Sequence, residues 1–116
     1  MQSHLKIQSS KLHHYVYVVL LDAQVLEIRK FANVNLNHQI GKPCLYVGMT
    51  GLDPDTRFDK HKAGIKANRY VQKYGLRLAP EFVADLQQPM SYEDARYLEV
   101  DVALKLKEKG FAVWQA

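Results

Sequence analysis

Tyr15-Val16-Tyr17-Val18-Val19-Leu20-Leu21 and, after a connection, Cys44-Leu45-Tyr46-Val47 decide the fold of this chain. Both are nearly unbroken runs of β-branched, aromatic and aliphatic side chains, as expected of short strands covered on both faces. Asp22 ends the first run and Gly41-Lys42-Pro43 punctuates the chain before the second. The two are therefore expected to form an antiparallel pair with a decorated connection over residues 22–42. Inside that connection, Val25-Leu26-Glu27-Ile28 suits either a short strand or a helical turn.

Downstream, Gly48-Met49-Thr50-Gly51 reads as a turn, after which Asp53 as N-cap and Pro54 at the first helical position open a helix that Gly64 closes. A second basic helix is expected over 68–74, ended by Gly75, and Pro80 leads into an expected third strand over 81–86. Ser91 with Asp94 three residues on resembles a capping box, and Ala95, Leu98, Val102 and Leu106 recur at helical spacing up to Gly110. Residues 111–114 suit a short strand or a packed tail, and 1–12 a loose or edge segment. The expected architecture is α/β: a small central antiparallel sheet of about three strands flanked by helices, in a single domain spanning residues 1–116.

A length of 116 residues allows one core, and 47% apolar with 24% charged residues is ordinary for a globular protein. The single cysteine, Cys44, rules out a disulfide and a cysteine-based zinc site, and its apolar neighbours suit a core role. No N-terminal apolar core of a signal peptide is present, and no apolar stretch approaches the roughly 20 residues of a membrane span. A cytoplasmic location is the expectation. The net charge of +4 is concentrated: between residues 57 and 77, Arg57, Lys60, Lys62, Lys66, Arg69, Lys73 and Arg77 face one acid, Asp59. Such a field attracts polyanions by counterion release, although a solvated helix face can also be basic.

Several side chains carry candidate chemistry. Arg57 and His61 lie one helical turn apart, within reach of one phosphate, and a guanidinium matches the oxygens of a phosphoryl transition state. Tyr17 and Tyr46 fall on strands expected to be neighbours, which brings their hydroxyls close. Glu99 lies on or beside the apolar stripe of its helix and there requires a cation, either Arg57 or a lysine in an ion pair, or a divalent metal. Adjacent residues of a strand point to opposite faces, so His13-His14 is not expected to share an ion.

With Tyr15-Val16-Tyr17, Tyr46-Val47-Gly48, Arg57, His61 and Ala95-Arg96-Tyr97-Leu98-Glu99, the chain resembles the GIY-YIG nuclease family from about residue 15 to about 107. It departs from the family pattern where Tyr15 replaces the first glycine and where the 22–42 connection exceeds a short hairpin turn. The resemblance implies an endonuclease that hydrolyses phosphodiester bonds of DNA with one divalent metal, Mg²⁺ or Mn²⁺. Tyr17, Tyr46, Arg57, His61 and Glu99 would be catalytic, with Glu99 the metal ligand; Lys60, Lys66, Arg69, Lys73 and Arg77 would contact the DNA backbone. A weakly active or inactive nucleic-acid-binding module, or a protein-interaction domain, fits the same residues. A protein partner or a homodimer for targeting stays open, and no membrane partner is implied.

Overall fold

The computed structural model describes residues 12–116, so the expectation for 1–12 lies almost wholly outside the described residues. Strand β1 (Tyr15–Leu21) pairs antiparallel with β2 (Cys44–Thr50), Tyr17 opposite Gly48 and Val19 opposite Tyr46. Strand β3 (Gly75–Leu78) joins β1 antiparallel, and β4 (Ala112–Gln115) joins β2 in parallel, giving the order β3-β1-β2-β4. The sheet is thus four-stranded and mixed, where about three antiparallel strands were expected. The C-terminal residues supply the fourth. Helix α4 (Tyr92–Glu108) carries the chain back across one sheet face, so the strand that follows it runs parallel to β2.

The third strand also lies earlier than the sequence predicts. Residues 81–86 are not a strand; Pro80–Val83 form a 3₁₀ turn, and the ladder to β1 is made by Gly75–Leu78 immediately after helix α3 (Arg69–Tyr74). The apolar residues of 81–86 pack from above: Val83 is in the core with Val16 and Val18, and Phe82 meets Phe111 edge to face. Gln88 continues the edge of β1, its amide oxygen accepting from Val16 N at 2.6 Å and its nitrogen donating to Val16 O at 3.1 Å.

As expected, β1 is covered on both faces. Val16 and Val18 join Leu45, Val47 and the α4 residues Ala95, Ala103 and Leu106 on one face. Tyr17, Val19 and Leu21 join Tyr46, Val25, Phe31 and Val71 on the other. Truncating a residue as enclosed as Leu45 should cost about 2–5 kcal/mol. The 22–42 connection resolves into a 3₁₀ turn (Ala23–Glu27) and helix α1 (Arg29–Asn33), so Val25 and Leu26 belong to a helical turn. Asn35 fastens this connection to the sheet: its Nδ2 donates to Phe31 O at 2.9 Å and its Oδ1 accepts from Val113 N at 2.7 Å.

The helix ends follow the sequence signals. Asp53 caps helix α2 (Pro54–Lys62) by accepting from Thr56 N at 3.0 Å, and Asn68 and Ser91 cap α3 and α4 in the same way. Gly64, at φ +81°, adopts the left-handed conformation that ends α2. No helix among the described residues is long and apolar enough to cross a membrane.

Candidate active site

Three of the expected residues meet on one face of the sheet. Tyr17 Oη lies 2.8 Å from His61 Nε2, and the ring centroids of Tyr17, Tyr46 and His61 are 5.7 to 6.1 Å apart in all three pairs. Gly48 makes this convergence possible. A Cβ at that position would stand 2.9 Å from Tyr17 Cζ, Tyr17 Oη and Tyr46 Cε1. The Tyr17 ring therefore lies across its cross-strand partner and reaches Tyr46 on the diagonal.

His61 is fully buried, and both ring nitrogens are engaged. Asn68 N donates to Nδ1 at 3.0 Å, which leaves Nδ1 without a proton and puts the proton on Nε2, facing Tyr17. Burial first, and the nearby Arg57 charge second, hold the imidazole neutral by lowering its pKa to about 4. Helical spacing alone suggests a phosphate beside Arg57 as the partner of His61; its ring nitrogens face Tyr17 and Asn68. With the proton on Nε2, His61 donates to the Tyr17 oxygen, and the Tyr46 ring stands beside that of Tyr17. Burial pushes both phenols up. The charge of Tyr46 pushes Tyr17 further, and the charge of Arg57 draws both back.

Arg57 lies close enough for its charge to lower Tyr17, Tyr46 and His61 alike. Its guanidinium donates to Ile65 O at 3.4 Å and to Lys66 O at 2.8 Å, where Lys66 adopts a left-handed φ of +47° that turns the loop back toward the helix. Two of the five N–H groups are thereby spoken for, and three remain for a ligand.

Glu99 comes from the other side. It belongs to α4, which covers the opposite face of the sheet, and approaches the edge of β2 beyond the end of β4. Gln115 Nε2 donates to Glu99 Oε1 at 2.8 Å. Burial raises the carboxyl pKa, against the hydrogen bonds from Gln115 and the Met49 backbone and the charge of Arg96; its own charge in turn raises Tyr46. Among the described residues no lysine or arginine forms a salt bridge with Glu99, so the ion pair with Arg57 or a lysine is not made. No group of three or more His, Cys, Asp and Glu side chains gathers there either. A buried, oriented, unpaired carboxylate that leaves most ligand positions to water and phosphate oxygens fits a hard divalent cation.

Sequence reasoning missed Gln115 and Asn68. The first is revealed only by the parallel placement of β4; the second had a local signal, its place as an N-cap.

The basic segment divides. Lys60 is half-buried, while Lys66, Arg69 and Lys73 are exposed on α3 and the loop before it. Arg77 faces away from this group: it pairs with Leu20 in the ladder, on the face opposite Tyr17, and forms an ion pair with Glu81 at 2.9 Å. Lys62 Nζ is turned inward, donating to Gln72 O and Gly75 O at 2.9 Å each. Cys44 is buried, its thiol pushed up to about 11 first by burial and then by Asp22, which suits the core role. His13 and His14 stack at 4.8 Å rather than pointing apart, because both precede β1.

Comparison with protein-family models, with characterised proteins and with solved structures yields no match.

Proposed function

We propose that the chain is a metal-dependent phosphodiester hydrolase acting on DNA, as its resemblance to GIY-YIG nucleases implies. The observation that carries the reading is the convergence of Tyr17 and Tyr46 over Gly48 with His61 beside them, within the field of Arg57 and near the buried Glu99 carboxylate, which forms no salt bridge among the described residues.

Tyr46 is the better base of the two phenols. The Tyr17 oxygen is already engaged by His61, whereas the Tyr46 hydroxyl has no hydrogen-bond partner among the described residues and the Arg57 charge favours its phenolate. As a phenolate, Tyr46 takes a proton from the attacking water while the water oxygen bonds to phosphorus and the phosphorus bond to the leaving sugar oxygen breaks. The leaving oxygen takes up a proton from solvent. The free donors of Arg57 meet the charge that accumulates on the phosphoryl oxygens. His61 is a positioning residue that fixes the orientation of Tyr17. Glu99 would hold Mg²⁺ or Mn²⁺, which when bound supplies a Lewis acid for the leaving oxygen. Lys60, Lys66, Arg69 and Lys73 would dock the backbone, with no sequence preference of their own.

A binding module that does not cleave is the second reading, favoured by the depth of His61 and by the carbonyls that already hold Arg57. Incubation of nicked, branched and single-stranded DNA with and without Mg²⁺ separates the two. Metal-dependent cleavage supports the hydrolase; salt-sensitive binding without cleavage supports the module.

A further inference from the structure

Helix α4 has a second apolar stripe that no other element among the described residues covers. Tyr97, Val100 and Leu104 are 69%, 42% and 55% exposed and lie on the side of the helix away from Ala95, Ala103 and Leu106. With Glu93 before them and Lys107 after them, they recur at 93, 97, 100, 104 and 107, the alternating spacing of four and three that defines a coiled-coil seam. Leu104 also lines the hollow beside Val34 and Leu36, which are 45% and 84% exposed, so the apolar strip continues from the helix onto the connection between β1 and β2.

The charges at the ends of the seam choose both the partner and its direction. Glu93 and Lys107 each stand seven residues from Val100. Two copies packed in parallel would set Glu93 against Glu93 and Lys107 against Lys107. Packed antiparallel about Val100, each Glu93 meets the Lys107 of the other copy, Tyr97 comes beside Leu104, and the two helix dipoles oppose. Lys107 donates one N–H to Val34 O at 3.0 Å and keeps two for such a pair. We propose that this face binds a second copy of the chain, α4 against α4 antiparallel about a two-fold axis through Val100.

A 17-residue helix is about 25 Å long, so the contact is small and the dimer reversible. Glu99 points to the opposite side of the helix, so pairing leaves the candidate active site uncovered.

Sedimentation velocity of the full chain over a concentration series tests the proposal, with circular dichroism as a control for folding. A weak, concentration-dependent monomer–dimer equilibrium is expected, as befits a small contact. Val100→Asp, which places a charge on the axis opposite its own copy, should raise Kd about tenfold or more. Glu93→Lys and Lys107→Glu should each weaken association several-fold, and the double exchange should restore it, because the attractive pairs reform with reversed sign. A chain that stays monomeric throughout overturns the proposal and leaves the face to another occupant. A dimer indifferent to Val100→Asp, or a double exchange as weak as the single ones, overturns it equally.

Discussion

Gly48 stands opposite Tyr17, and the space of its missing Cβ is the space that Tyr17 uses to reach Tyr46 and His61. Gly48→Ala should displace both rings, costing about 1–3 kcal/mol in thermal or denaturant unfolding and reducing cleavage more than DNA affinity. This residue's importance was legible in the sequence only through the resemblance; what it makes room for required the register of the two strands. The burial of Tyr46 gives a second prediction. Because burial holds the Tyr46 hydroxyl above the usual phenol range, the phenolate is scarce at neutral pH, and the cleavage rate should rise up to about tenfold per pH unit through the neutral and mildly alkaline range. Tyr46→Phe should remove both the activity and the slope. A rate profile flat with pH in the unmodified protein would count against Tyr46 as the base.

Helices α2 and α3 and the loop between them carry the charge that would meet a polyanion, and the elements sort the basic residues in a way their spacing could not. Lys66, Arg69 and Lys73 are exposed and free of acidic partners among the described residues, whereas Arg77 is held by Glu81 on the other face of the sheet. Replacing Lys66, Arg69 and Lys73 with alanine should flatten the slope of log affinity against log salt for duplex DNA by about 2–3, and Arg77→Ala should leave it nearly unchanged. An unchanged slope in the triple variant would reduce the segment to a solvated face. At this scale the local signals were readable: Asp53 and Ser91 cap the helices they were expected to open, and Tyr15–Leu21 is a strand covered on both faces. The third strand was misplaced because 81–86 is apolar for a different reason, packing its Val83 and Phe82 onto the sheet instead of joining it. Nothing local announced that Arg77 would bond Glu81 rather than face α3.

For the whole molecule, the candidate site is assembled across the sheet: Tyr17, Tyr46 and His61 gather on one face, and Glu99 arrives from the helix on the other, oriented by Gln115 at the end of the chain. Glu99 was readable as a carboxylate in an apolar stripe, but that no cation among the described residues pairs with it depends on long-range packing that no local pattern encodes. Stability against pH reports this arrangement. His61 has a folded pKa of about 4, below its ordinary 6.5, so the unfolded chain binds more protons between those values. Its contribution is fully present above about pH 6.5 and is lost as the pH falls toward 4, at up to about 1.4 kcal/mol per pH unit. Glu99, raised by burial, works in the opposite sense: its contribution is present below the ordinary carboxyl value and lost as the pH rises through the folded one. Urea unfolding from pH 4 to 7 should therefore show a steeper rise of stability with pH in Glu99→Gln than in the unmodified protein. The same variant tests the central claim most directly. Cleavage of nicked or branched DNA by Glu99→Gln, with Mg²⁺ present and folding verified, should fall to the level of the unmodified protein without metal, while stability at neutral pH is unchanged or raised. Near-normal cleavage by a folded Glu99→Gln protein, or substantial unfolding caused by the substitution, would contradict the account.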